Sequence, residues 1–155
     1  MRMPSIEFKK IYRQDDSTFL SILNNIRNGV VDYNDLYILN QRTNMALPEN
    51  DMVITLCSIN KTADNINNVR LDAIKEPSYL FEGTIVKDFD EEKVPVSKQL
   101  ILKKGAQVMF CRNDPQQRWA NGTLGKITQI DEENIFVTIE NGEEYKVDKV
   151  SWEAT

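Results

Sequence analysis

The hydrophobic period changes partway along this chain, and that change constrains the fold more than any other feature. Up to about Pro77 the apolar residues recur at helical spacing around one continuous apolar run. The spacing predicts a helix opened by Asp15 or Asp16, whose carboxylate can accept from the free first-turn amides. Phe19, Leu20, Ile22, Leu23 and Ile26 fall on one face of it, and Asn28-Gly29 is its stop. A shorter helix is expected over 32–41, with Leu36 and Leu39 inward, followed by a loop over 43–51 around Pro48. Met52-Val53-Ile54-Thr55-Leu56-Cys57 has the pattern of a strand buried on both faces. Ser58-Ile59-Asn60 then leads into a helix over 62–75, with Ala63, Ile66, Val69, Ala73 and Ile74 broadly on one stripe. Strand, polar turn and helix make a single α/β unit, and one such unit cannot cover a sheet on both faces.

Beyond Pro77 the apolar residues come in short runs: 79–86, 100–103, 106–111, 125–130, 135–139 and 144–147. Turn residues separate them, at Lys104-Gly105, Asn113-Asp114-Pro115, Asn121-Gly122, 131–134 and Asn141-Gly142. Short strands at this spacing predict a small barrel. The expected class is α+β, with an incomplete α/β segment over 1–78 and a β-barrel over 79–155.

Charge is distributed unevenly around a net value of −5. Glu82, Asp88, Asp90, Glu91 and Glu92 oppose Lys87 alone; then Lys98, Lys103, Lys104, Arg112, Arg118 and Lys126 oppose Asp114 alone. From Asp131 onward the balance is acidic again. Ordinary alternation of solvated charges accounts for this; so does a local anion-binding strip on an acidic protein.

The chain has no histidine, which excludes His-based acid–base catalysis, Ser-His or Cys-His nucleophiles and any ordinary Cys/His zinc site. Cys57 and Cys111 sit in apolar runs, where buried reduced thiols are expected. No stretch approaches the ~20 apolar residues of a membrane helix. Met1-Arg2-Met3-Pro4-Ser5 lacks the apolar run of a secretory signal, so a cytoplasmic location is the expectation. No phosphate-cradling loop is present: Gly125 is followed by Lys126, but Ala120 and Ile127 stand where glycine and Ser or Thr are required. Asp131-Glu132-Glu133 reads as a solvated turn. Residue types and spacing alone therefore give no catalytic constellation.

Three segments carry a resemblance. The first is Ile11-Tyr12-Arg13-Gln14 with Ile26-Arg27-Asn28-Gly29; the second is 54–60 followed by Ala63-Asp64-Asn65-Ile66-Asn67. The third runs from Leu102-Lys103-Lys104-Gly105-Ala106-Gln107-Val108-Met109-Phe110-Cys111-Arg112-Asn113-Asp114 to Trp119-Ala120-Asn121-Gly122-Thr123-Leu124-Gly125-Lys126-Ile127. In this order they resemble the C-terminal part of RecD-like superfamily 1 DNA helicases, in the petite-integration-frequency branch.

The resemblance implies that 1–78 is part of the second RecA-like motor domain and that 79–155 is the SH3-like barrel inserted into it. It implies a parent that hydrolyses ATP with Mg2+ and tracks along single-stranded DNA from 5′ to 3′. The phosphate loop, the Asp-Glu magnesium motif and the final Ser-Gln-Gly motif are missing, so the chain resembles a fragment cut on both sides. The fragment itself is expected to hold no cofactor and to need the parent's first RecA-like domain as partner; no membrane is implied.

Arg13 matches the family arginine that reaches the γ-phosphate, where a guanidinium stabilises the transferring phosphoryl group; a surface arginine near a helix start is the plain alternative. Tyr12 and Gln14 border the same ATP region. Ser58 and Asn60 stand where helix capping and a DNA-phosphate contact can coexist. Arg112, Arg118 and Lys126 are candidates to line the DNA, and Trp119 either stacks on a base or fills the barrel core. A non-enzymatic small-barrel module binding protein or nucleic acid is the competing class, and a nucleic-acid-binding protein without a motor is a further one.

Overall fold

Asp16 opens the first helix as its spacing predicts. In the computed structural model, which describes residues 15–46, 52–85 and 96–152, its Oδ1 accepts from the amides of Thr18 and Phe19 at 2.9 and 3.0 Å. The helix, α1 (Ser17–Asn28), ends at Gly29, whose φ of +71° is the left-handed conformation that glycine adopts without strain. Ile22 is buried, while Phe19, Leu23 and Ile26 on the same side keep 37–48% exposure. Helix α2 (Tyr33–Asn40) begins with a reciprocal cap: the Asp35 amide donates to Asp32 Oδ1 at 2.8 Å, and the Asp32 amide donates to Asp35 Oδ2 at 3.3 Å. Asn25 Nδ2 of α1 donates to the same Asp35 oxygen at 2.9 Å. That bond turns Asp35 inward together with Ile38 and Leu39, one helical turn on. Leu36, expected inside, is rotated about 100° away and is 48% exposed.

The chain divides into two compact units, 1–48 and 49–155. At the start of the second, residues 52–57 form no strand. A strand exists by pairing, and among the described residues no neighbour forms a ladder with this run. Ile54 is 49% exposed and Leu56 92%, so the expected burial on both faces is not found. Cys57 and Cys111 are free and half-buried rather than buried. Helix α3 (Asn60–Ala73) starts and ends two residues before the predicted span. Its Val69, assigned to the apolar stripe, is 70% exposed, whereas Leu71 and Ile74 beyond it pack against the sheet core.

Among the described residues six strands follow: β1 (Ser78–Glu82), β2 (Gln99–Lys103), β3 (Gln107–Met109), β4 (Leu124–Ile130), β5 (Ile135–Ile139) and β6 (Glu144–Val147). They form two antiparallel sheets, β1-β2 and β3-β4-β5-β6. The corner between β2 and β3 is tied to β4, since the Gly105 amide donates to the Ile127 carbonyl at 2.7 Å and the Ile127 amide donates to Ala106 at 2.9 Å. Both sheets contribute to one core of Leu102, Ala106, Ile127, Val137 and Ile139, with Phe81, Leu100 and Val108 packed around it. Gly125, in β4, is required by close approach: a Cβ there would lie 2.4 Å from Val137 Cγ1 and 3.0 Å from the Thr138 carbonyl. Two side chains bind the preceding segments to this sheet framework. Lys103 Nζ donates to the Ile74 carbonyl at the end of α3 at 2.9 Å, and Gln107 Nε2 donates to the Val53 carbonyl at 3.0 Å.

Candidate nucleic-acid interface

The connection from β3 to β4 holds most of the basic strip's chemistry, and its own sequence fixes it. Asp114 lies at the turn Asn113-Asp114-Pro115 and is only 7% exposed. Its Oδ2 accepts from the amides of Gln116 and Arg118 at 3.0 and 3.1 Å and from Arg118 Nε at 2.8 Å, while Oδ1 accepts from Arg118 Nη2 at 2.7 Å. This is the two-point pairing that a planar guanidinium makes with a carboxylate. The side-chain bond from Arg118, helped by that residue's amide and charge, holds the Asp114 pKa at about 2, below its ordinary 3.8. The same bond pushes the Arg118 pKa up. Arg118 also donates through Nη1 to the Lys146 carbonyl at 3.3 Å and lies 3.6 Å from Asp148.

The Arg118 guanidinium carbon sits 4.4 Å from the centre of the Trp119 ring, and Phe110 stacks on that ring at 4.3 Å with a 23° tilt. Tyr145 approaches from the side at 5.9 Å, and its hydroxyl donates to Glu143, which raises the phenol's pKa. The structure thus engages Arg118 and Trp119 in internal contacts: the indole packs with Phe110 and the Arg118 guanidinium, and that guanidinium is paired with Asp114. A backbone frame supports them. The Gly122 amide donates to Phe110 at 2.7 Å, the Phe110 amide to Thr123 at 2.9 Å, and the Asn121 amide to Asn113 Oδ1 at 2.7 Å.

Lys126 and Arg112 remain exposed. Lys126 stands on the solvent side of β4, opposite Gln107 of β3 and Thr138 of β5. Arg112 lies past the end of β3, where its Nη1 donates to the Ser151 carbonyl at 3.0 Å and its guanidinium carbon is 5.8 Å from the Trp152 ring centre. Among the described residues neither is in an ion pair. Ser58 and Asn60 are both exposed at the start of α3, but neither caps it: the cap position is Ile59, and no side chain bonds there. Asn60 is instead the first helical residue. Tyr12, Arg13 and Gln14 lie outside the described residues. Two participants escape a search for basic residues: Asp114, legible only as an acid four residues before an arginine, and Trp152, hidden in an acidic stretch. Among the described residues no three side chains able to ligate a metal come together, so none is assigned to magnesium.

Residues 91–130, which take in β2, β3 and the following loop, match the model of the DNA helicase Pif1 2B domain. An ATP-dependent DNA helicase Pif1 of Bdellovibrio bacteriovorus is 33% identical over 90% of this chain and 33% of its own length. An ATP-dependent DNA helicase PIF1 of Xenopus laevis is 31% identical over 84% of this chain and 21% of its own. The crystal structure of a Bacteroides Pif1 in complex with ADP-AlF4 superposes with a TM-score of 0.73 at 30% identity, covering 88% of this chain and 32% of that one. For Bacteroides Pif1 bound to ssDNA the TM-score is 0.68 at 30% identity, over 94% and 34%. The stretch that carries β2, β3, the stiffened basic loop and β4 is therefore similar to the helicase 2B domain. The chain is thus similar over most of its length to ATP-dependent DNA helicases of the Pif1 type, and it spans a third or less of the length of these curated relatives.

Proposed function

We propose that this chain is the part of an ATP-dependent DNA helicase that supplies a section of the single-stranded DNA channel and one wall of the ATP cleft. In this reading residues 1–78 belong to the second RecA-like domain and 79–155 form the SH3-like 2B domain. The observation that carries it is the exposure of Arg112 and Lys126, in no ion pair among the described residues, within the stretch that matches the 2B model. Cations placed so can neutralise phosphates without first giving up a carboxylate partner of the kind that Asp114 is to Arg118. Ser58 and Asn60 add polar groups at the start of α3, whose first amides are free of side-chain caps. The comparisons do not favour a non-enzymatic interaction module.

Titration of the chain with single-stranded DNA tests the channel. Binding in the ~10⁻⁴–10⁻⁶ M range is expected, falling steeply with salt. Replacing Arg112 and Lys126 together by Ala should flatten the log–log salt slope by roughly 1.4, from about 0.7 per neutralised phosphate. Arg118 is left in place, because its removal strands the Asp114 carboxylate. An unchanged slope in the double variant refutes the interface. The ATP wall rests on Arg13 and is tested in the full-length parent: Arg13→Ala should slow hydrolysis about 10³-fold, as loss of an arginine finger does, and Arg13→Lys should recover little of it. The chain by itself is expected not to turn over ATP, since positioning of the phosphates needs a loop that its sequence lacks.

A further inference from the structure

Arg112, Pro115, Val150, Ser151 and Trp152 line an open cleft of about 540 Å³, within the range of small-ligand pockets. Its two chemically distinctive members are a guanidinium and an indole. The guanidinium gives one bond to the Ser151 carbonyl and has no ion-pair partner among the described residues, out of five N–H donors. The indole differs from that of Trp119 in the respect that matters for stacking. Trp119 carries Phe110 and the Arg118 guanidinium at 4.3 and 4.4 Å, whereas the Arg112 guanidinium stands off from Trp152 at 5.8 Å. Trp152 is also outside the apolar core, so its ring is not needed to fill the fold. The facing wall is rigid: Pro115 directly follows Asp114, which Arg118 and two amides hold in place.

We propose that this cleft takes one nucleotide of single-stranded DNA, with the base stacked on Trp152 and its phosphate on Arg112. Pro115 and Val150 offer apolar contact to the other edges of the base, which suits any base and reads no sequence. Asp114 is a positioning residue here; it touches no DNA and fixes the wall against which the base is held. The proposal rests on the channel reading above and adds to it a base contact, which phosphate neutralisation alone does not require.

Two probes separate the two ideas: a fluorescent twelve-nucleotide thymidine oligonucleotide and an abasic strand of the same length and phosphate count, followed by anisotropy at low salt. The unmodified chain should bind the thymidine strand at least about fivefold more tightly than the abasic one, the lower end of what stacking one base gives. Trp152→Leu should abolish that preference and leave abasic affinity unchanged, Trp152→Phe should keep most of it, and Arg112→Ala should weaken both probes. In the unmodified chain the thymidine strand, and not the abasic one, should quench tryptophan emission, a readout independent of whether any variant folds. Equal affinity for the two probes, or a preference that survives Trp152→Leu, overturns the base niche and leaves the phosphate interface standing. Failure of both probes to bind overturns the niche and the interface together.

Discussion

The strands between Gln99 and Val147 and the apolar run at 52–57 are written in the same residue types, yet only the strands form ladders. What separates them is the location of the partner. β4, β5 and β6 pair in sequence order across four-residue turns that set their register, and β2 and β3 pair with β1 and β4, which lie farther off in sequence. The run at 52–57 has no such neighbour among the described residues, where the Gln107 side-chain amide donates to its Val53 carbonyl. β-Branched apolar residues supply the surface of a strand, but the ladder must come from another segment. The same contrast runs through burial, where Ile127 and Val137 are 1% and 2% exposed while Leu56 is 92% exposed.

Substitutions can break this comparison, and the largest effect is expected at its best-packed point. Ile127→Ala should cost about 2–5 kcal/mol in urea unfolding, because the cavity lies where both sheets meet and cannot collapse freely; a cost below ~1 kcal/mol would mean that the core is looser than its burial indicates. Gly125→Ala comes next, at about 1–3 kcal/mol, from forcing a methyl into Val137 and the Thr138 carbonyl.

A pH series sharpens the picture of the β3–β4 loop. The folded pKa of Asp114, about 2, lies below its ordinary 3.8, so its contribution is complete above about pH 4 and is lost as pH falls through 3.8 toward 2. Stability of the chain and of Asp114→Asn, measured from pH 6 to 2.5, should therefore converge at the acid end. Asp131 and Glu143 also titrate low, from bonds to the Glu133 amide and to Tyr145, so only the difference between the two proteins isolates Asp114. Parallel curves would show that the ion pair contributes nothing to folding. At the small end, Leu56→Thr should shift stability by no more than about 0.5 kcal/mol, since the side chain is already in water. A larger loss would reveal that the run at 52–57 is paired after all.

Legibility in the sequence followed the same division. Strands β5 and β6 match their predicted spans, because Asn134 and Asn141-Gly142 mark the ends of the runs. The Asp16 cap and the Gly29 stop were equally plain, since both act within three residues of the helix they bound. Leu36 was misplaced because the side chain that orients α2 is Asp35, bonded to Asn25 ten residues away, and periodicity carries no such information. The site was legible as charge but not as geometry. Arg112, Arg118 and Lys126 look alike in a list of cations, and only the fold shows that Asp114 claims one of them. Trp119 and Trp152 divide in the same way: one ring packs with Phe110 and Arg118, and the other lines a cleft.

The hairpin turns have a chemical consequence of their own. Asn-Gly pairs lose ammonia when the glycine nitrogen attacks the preceding side-chain carbonyl; this chain has three, of which two, Asn121-Gly122 and Asn141-Gly142, lie in connections between strands. In the folded protein both nitrogens are engaged, Gly122 with the Phe110 carbonyl at 2.7 Å and Gly142 with the Ile139 carbonyl at 2.9 Å, and the Asn141 carbonyl oxygen already accepts from the Glu143 amide at 2.9 Å. Ring closure must wait until those bonds open. Deamidation at these two sites, followed by mass in stored protein, should therefore accumulate in proportion to the time the chain has spent unfolded, and destabilised variants should age faster in solution than the parent.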